Sequence, residues 1–250
     1  DMASAPRAPR PPRRFNNQTP TSLYNGMINP IVPFTIKGAI WYQGESNSLK
    51  PTQYQTLFPN MIQSWRDVWG IGDFPFYYVQ IAPFNYRNRN SAFLREAQMM
   101  TLSMKNVGMA VTLDIGDVTD IHPKNKKDVG LRLARWALAR DYGQKDLVYS
   151  GPIYKSMKIE GGKIRLAFDY PGSGLVAKDG TLANFTIAGA DKQFLQAKAT
   201  IENNTIVVSS DKVARPVAVR YAFDNAGVPR LFNNEGLPAS SFRTDTWQPK

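Results

Sequence analysis

Apolar positions along this 250-residue chain follow two regimes, and the change comes near residue 150. Before it, short apolar runs alternate with stretches of three- and four-residue period. Gly38-Ala39-Ile40-Trp41-Tyr42-Gln43 is a continuous apolar run, which predicts a strand buried on both faces. A loop from Gly44 to Pro51 leads to a predicted helix over 53–69. Its apolar side is formed by Tyr54, Leu57, Met61, Trp65 and Val68. The second strand is predicted at Phe76–Ile81, followed by a loop over 82–90. A helix over 91–104 comes next, with Ser91 as candidate N-cap. The third strand is predicted at Met109–Leu113 and its loop covers 114–124. The helix after that spans 125–142, with Val129, Leu133 and Trp136 on one side and Gly143 as C-cap.

Strands alternating with helices predict right-handed crossovers and a parallel sheet. Ligands bind such sheets beyond the carboxyl ends of the strands. The loops 44–51, 82–90 and 114–124 all meet that edge. The first holds Gly44-Glu45-Ser46-Asn47 and the third holds Asp120-Ile121-His122-Pro123. After residue 150 the helical period is absent. Lys163–Tyr170, Thr205–Ser209 and Val217–Phe223 alternate in part, and Asn203-Asn204 is a candidate hairpin turn. The expected organisation is an extended basic, Pro-rich arm over 1–20, an α/β part over 21–149 and an antiparallel β-sandwich-like part over 150–250.

Composition narrows the chemistry. The chain has one histidine and no cysteine. Zinc sites built on several imidazoles, thiolate metal sites, disulfides and a cysteine nucleophile are thereby excluded within it. Any histidine chemistry falls to His122. An acidic residue two positions before it, on a loop after a strand, is where a base and its orienter are often held. The net charge of +11 suggests nucleic acid, but its distribution argues otherwise. Arg7, Arg10, Arg13 and Arg14 lie in the arm, and Lys124, Lys126, Lys127 and Arg132 are typical of a scattered remainder. No apolar stretch approaches the roughly 20 residues of a membrane span. The absence of cysteine fits a periplasmic or secreted bacterial enzyme as well as a cytosolic one.

Three features carry a resemblance. Gly38-Ala39-Ile40-Trp41-Tyr42-Gln43-Gly44-Glu45-Ser46-Asn47 resembles a conserved block of the sialate O-acetylesterases, which are SGNH (GDSL-like) hydrolases. Asp114-Ile115-Gly116-Asp117 followed by Asp120-Ile121-His122-Pro123 is similar to their catalytic-histidine block. The segments Ala188–Lys192, Gly236–Ala239 and Phe242–Asp245 resemble the β region that ends those proteins.

The resemblance implies a flavodoxin-like three-layer α/β sandwich with β additions. It also implies cofactor-free, serine-dependent removal of acetyl groups from sialic acid or related carbohydrates. In that chemistry a base must take the serine proton and fixed donors must hold the oxyanion. By resemblance His122 is the base and Asp120 its orienter, with Asp117 second. Many relatives place the acid three residues before the histidine, where this chain has Thr119. Gln43 and Gly44 match the block that supplies oxyanion donors through a side-chain amide and a backbone N–H. Glu45 and Asn47 bind substrate or fix the loop. Tyr42, Trp41 and Trp65 read as core residues rather than sugar platforms.

The family's nucleophile lies in a Gly-Gln-Ser-Asn-Met stretch, and no such stretch occurs here. The expectation is therefore a nucleophilic serine supplied by an upstream segment or a second subunit, tightly bound. Two alternatives stand beside it. One makes Ser46 the nucleophile. The other is a catalytically silent carbohydrate-binding or assembly module.

Overall fold

The computed structural model describes residues 15–247, so most of the expected arm lies outside the described residues. Two short helical turns, Tyr24–Ile28 and Asn29–Ile31, bury no residue and lead into the first strand.

The first part is a three-stranded parallel sheet of β1 (Ala39–Trp41), β2 (Phe76–Val79) and β3 (Val107–Ala110), in that order. Register pairs Ile40 with Tyr77 and Tyr78 with Met109. Alternation along β2 divides its side chains between two layers. Phe76 and Tyr78 pack toward α1 (Pro51–Trp69) and α2 (Ala92–Met100). Tyr77 and Val79 pack toward α3 (Lys126–Arg140). The central β2 is buried along its whole length, as a strand covered on both faces must be.

Several details depart from the pattern read along the chain. β1 is an edge strand, and no described strand pairs with its outer side. Its Ile40 is 72% exposed, because it lies on the α3 face beyond the reach of that helix. The apolar run therefore marks a strand that is only half covered. On α1 the buried row is Tyr54, Phe58, Ile62 and Arg66 at four-residue steps, while Leu57 is 48% exposed. Arg66 belongs to that row because its guanidinium donates to the carbonyls of Phe74, Lys105 and Asn106. Ser91 makes no capping hydrogen bond. Asn90 Oδ1 instead accepts the N–H of Ala92 (2.9 Å), and Ser91 Oγ accepts from Arg95. The third strand sits two to three residues earlier than its apolar run. α3 ends at Arg140, so Gly143 lies three residues beyond it, with φ +77°. Asn125 caps the start of α3 by accepting from the N–H of Asp128.

The rest is antiparallel. β4 (Ile153–Glu160), β5 (Lys163–Asp169), β9 (Lys198–Glu202) and β10 (Thr205–Ser209) form one sheet, ordered β4-β5-β10-β9. A second sheet is ordered β13-β11-β7-β8, from β7 (Phe185–Ala188), β8 (Leu195–Gln196), β11 (Ala218–Tyr221) and β13 (Phe242–Arg243). β6 (Leu175–Ala177) and β12 (Leu231–Asn233) pair separately. The inner faces share one core that includes Ile164, Leu166, Ile187, Val208, Val219 and Tyr221. Asn203 and Asn204, at φ +48° and +58°, turn the β9–β10 hairpin as the sequence predicts.

The two parts interlock through buried polar groups. Arg95 on α2 is fully buried. Its Nε donates to Ser241 Oγ and its Nη1 to Ser91 Oγ, both at 3.0 Å. Its Nη2 donates to the carbonyls of Ala222 (3.3 Å) and Asp224. Gln80 at the end of β2 donates to Ser240 Oγ at 2.8 Å. Arg243 pairs in two-pronged fashion with Glu96. Burial lowers the Arg95 pKa to about 10, so the site carries the cost of desolvation and recovers it through these acceptors.

Arg95→Met keeps an unbranched apolar stem but removes the guanidinium, leaving two carbonyls and two hydroxyls without their donor. The expected loss is about 2–4 kcal/mol of stability, read as a lower urea midpoint with unchanged slope. An unchanged midpoint would show that the interlock is not where this fold is held.

Candidate active site

The site grows from the end of β1. There the chain turns at Gln43-Gly44 into a short helical turn, Glu45–Leu49. Gly44 has φ +151° and ψ −19°, a conformation that side chains rarely adopt. A Cβ at Gly44 would also lie 3.0 Å from Gln98 Nε2 and from Ile81 Cγ2. The fully buried Gln98 anchors this turn. Its Nε2 donates to the carbonyl of Gln43 (3.2 Å), and its Oε1 accepts the N–H of Ile81 (3.0 Å). The Gln43 amide is oriented from both ends. Nε2 donates to Asn47 Oδ1 (2.7 Å), and Oε1 accepts from the Tyr54 hydroxyl (3.1 Å). Asn47 thus acts within the loop, on Gln43.

The histidine loop is rooted by an ion pair. Arg132 on α3 forms a two-pronged bridge to Asp114, both contacts 2.6 Å, and also donates to the carbonyl of Val111. Gly116 lies against Pro83, so closely that a Cβ would fall 2.5 Å from the proline Cδ. Asn85 N–H donates to the carbonyl of Val118 at 2.9 Å. The loops 82–90 and 114–124 are in this way joined side by side.

Asp120 Oδ1 accepts the backbone N–H of His122 (2.9 Å) and lies 3.7 Å from the ring Nδ1. That separation is too long for a hydrogen bond. The His122 side chain is 87% exposed. Asp117 Oδ1 accepts from both the hydroxyl and the N–H of Thr119, and the Thr119 hydroxyl above all holds its carboxyl below the usual range. Asp117 is therefore occupied within its own turn.

Tyr42, Glu45, Ser46 and Lys126 line a cleft of about 380 Å³ together with Ile121, His122 and Pro123. Of the residues singled out from sequence, this brings Glu45, Ser46 and His122 together. Gln43, Gly44, Asn47 and Asp120 stand behind that surface as neighbours in the same two loops. Tyr42 does more than fill the core: it packs against the α3 layer and also lines the cleft. Burial, and then the charge of Glu45, push its phenol up to about 12. The same two causes, in the same order, raise Tyr86 to about 12. Lys126 places its ammonium 4.9 Å from the Tyr42 ring centroid. In sequence it is one lysine among several near the start of a helix, and nothing local marks it as a cleft residue. Among the described residues no cluster of three or more His, Cys, Asp or Glu is placed to hold a metal ion, and no helix is long and apolar enough to cross a membrane.

A cleft at the carboxyl edge of a parallel sheet, where the histidine loop meets the turn after β1, is where α/β folds of this kind hold their ligands. The comparisons make the class specific. Residues 13–139 match the family model described as carbohydrate esterase, sialic acid-specific acetylesterase, and the chain belongs to that family. It is 29% identical over 226 residues to the sialate O-acetylesterase of Mus musculus, covering 80% of this chain and 42% of that protein. The Homo sapiens sialate O-acetylesterase is 28% identical over 251 residues, covering 88% of this chain and 48% of that one. A solved carbohydrate acetylesterase from Xanthomonas citri superposes with a TM-score of 0.88 at 47% identity, covering 92% of this chain and 55% of that chain. The chain thus spans about half the length of the relatives it matches.

Gly44→Ala should cost about 1–3 kcal/mol, since it combines an unfavourable φ with contacts at 3.0 Å. Thermal unfolding checks the loss, and a variant as stable as the parent would mean that the Gln43-Gly44 turn is softer than its packing indicates.

Proposed function

We propose that this chain forms most of the active-site edge of a carbohydrate O-acetylesterase with a flavodoxin-like α/β part over about 21–149 and a β-sandwich part beyond it. In this reading His122 is the general base and Asp120 its orienter. The Gln43 amide and the Gly44 N–H stabilise the oxyanion. Glu45 contacts the sugar from the cleft wall, and Asn47 holds Gln43. The nucleophilic serine comes from an upstream segment or a second subunit. The observation that carries the reading is the meeting of the sole histidine with the Gln43–Asn47 turn around one cleft. The present Asp120–His122 separation is compatible with it, because catalytic hydrogen bonds often tighten only when substrate is bound.

The surface beside β1 supports an added segment. Ile40 is exposed on the open edge, and a mainly apolar groove of about 230 Å³ runs past Ala39, Ile40, Pro75 and Ala137, with Lys37 and Asp141 also in its wall. Among the described residues, five buried side-chain polar atoms have no hydrogen-bond partner. Four of them are donors at the end of β1 or in the 82–90 loop: Trp41 Nε1, Tyr42 Oη, Tyr86 Oη and Arg89 Nε. Ser46 is the competing nucleophile, since it lines the same cleft as His122, but no hydrogen bond joins the two.

In the complete enzyme His122→Ala should lower acetyl-ester turnover by about three orders of magnitude or more. Asp120→Asn should be severe but milder. If Asp117→Asn proves the damaging change, the orienter is Asp117. Gln43→Ala should reduce kcat by about a hundredfold; a change confined to KM would make Gln43 a substrate-binding residue instead.

A fluorophosphonate probe should label a serine outside these 250 residues and leave the isolated chain unmodified. Peptide mapping that finds the adduct on Ser46 would overturn the assignment of the nucleophile. Full turnover by a folded His122→Ala enzyme would overturn the assignment of the base, and no turnover by the complete parent protein would favour a silent binding module.

A further inference from the structure

The second antiparallel sheet carries a concavity that the esterase reading does not use. A hollow of about 260 Å³ opens on its outward face. It is lined by Asn184, Thr186, Gln196 and Arg220, with Phe194 and Phe223 beside them and Asp224 completing the wall. Register explains the gathering. Thr186 on β7 stands opposite Gln196 on β8 and opposite Arg220 on β11, so the three side chains form one row across the sheet. Their neighbours Phe185, Ile187, Val219 and Tyr221 point into the core, which leaves this row outward.

The polar groups have capacity to spare. Gln196 is exposed and has an amide with two donor hydrogens and an acceptor oxygen, and Thr186 adds a hydroxyl. Asn184 uses its Nδ2 on the carbonyl of Val228, which leaves its side-chain oxygen as an acceptor. Asp224 uses one carboxylate oxygen on the N–H of Ala226, which leaves the other. Alternating donors and acceptors suit neighbouring hydroxyls, each of which both gives and accepts.

Charge decides against an anion. Arg220 is the cation of the hollow, and it is neutralised by a two-pronged bridge to the buried Asp245 at 2.9 and 2.8 Å. Its guanidinium also lies 4.1 Å from the Phe194 ring centroid, which fixes it against that ring. With Arg220 paired to Asp245, and the Asp224 carboxylate set against the buried Arg95 charge, the lining holds no free cation for an anion to pair with. A phosphate or a carboxylated sugar would find no charge partner there.

The hollow is tied to the active-site edge. Directly after Asp224, the Asn225 side chain donates to the carbonyls of Tyr86 and Arg89 and accepts the N–H of Ser91. Its backbone carbonyl accepts the N–H of Phe84. The 82–90 loop in turn holds the histidine loop through Asn85 and Val118.

We propose that this hollow is an accessory subsite for one neutral, hydroxyl-rich sugar unit of a glycan. The choice of sugar over other neutral polar ligands rests on the carbohydrate-esterase reading. The volume suits one such unit, being just under the roughly 300–1,000 Å³ of sites for larger molecules.

The test is a titration of the isotope-labelled 250-residue chain followed by NMR. Lactose, maltotetraose and cellotetraose serve as neutral probes, 3′-sialyllactose as the acidic one and inorganic phosphate as the anion. At least one neutral oligosaccharide should shift the side-chain amide signals of Asn184 and Gln196 saturably. Gln196→Ala, an exposed position that leaves the core untouched, should weaken that binding about five- to tenfold. Shifts with none of the neutral probes would overturn the proposal. So would shifts with phosphate or sialyllactose alone, or undiminished affinity in Gln196→Ala. Binding is read here without turnover, so the two readings separate. Acetyl release by the complete enzyme without these shifts removes the subsite alone. Shifts together with a catalytically silent complete protein remove the esterase reading and leave the subsite standing.

Discussion

A single buried guanidinium governs how the two halves of this protein meet. Arg95 sits on a short helix, and its donors run to the 222–224 turn, to Ser241 and back to Ser91. A charge without a carboxylate partner at that depth is tolerated only when its donors meet acceptors, and here each of the three guanidinium nitrogens does. The backbone of the β part must therefore approach α2 in one way. The helix that carries Arg95 also carries Gln98, which anchors the Gln43 carbonyl, and Glu96, which receives Arg243. One face of α2 thus holds the β region, and a residue one turn later holds the cleft turn.

The cleft depends on two further restraints of different character. At the Gln43-Gly44 turn the restraint is steric, since backbone conformation and packing leave room for glycine alone. At the histidine loop it is ionic, through Arg132 and Asp114 at its root. Beyond that root the loop is held by main-chain turns and by its contact with the 82–90 loop, and the imidazole projects into solvent. The cleft therefore pairs a rigid wall at the Gln43-Gly44 turn with a more open wall at His122.

Much of the architecture was legible because periodicity is a local signal. The strand–helix alternation through residue 142, the parallel sheet it requires and the Asn203-Asn204 hairpin all follow from neighbours in sequence. Failures came where tertiary contacts choose among nearly equal local options. Leu57 and Phe58 both suit an apolar helix face, and only the position of β2 decides for Phe58. Ser91 is a good capping residue in isolation, but Arg95 takes its hydroxyl and leaves the cap to Asn90. An apolar run cannot reveal whether both its faces are covered, and at β1 the face carrying Ile40 is open. For the site, the loops and the histidine were readable from spacing and motif. The 3.7 Å gap to Asp120, the engagement of Asp117 by Thr119 and the entry of Tyr42 and Lys126 into the cleft were not, because they depend on where separate loops come to rest.

The open edge of β1 also bears on how the chain behaves as a material. An edge strand with exposed backbone groups, an outward isoleucine and an adjoining apolar groove is a template on which any extended chain can pair. Natural edges are commonly protected by an inward charge, a proline or a bulge, and the three residues Ala39-Ile40-Trp41 contain no charge and no proline. Colloidal stability in isolation then falls largely to long-range repulsion from the net charge of +11, which dissolved salt screens. Raising the ionic strength would then lower the concentration at which separate molecules begin to join edge to edge.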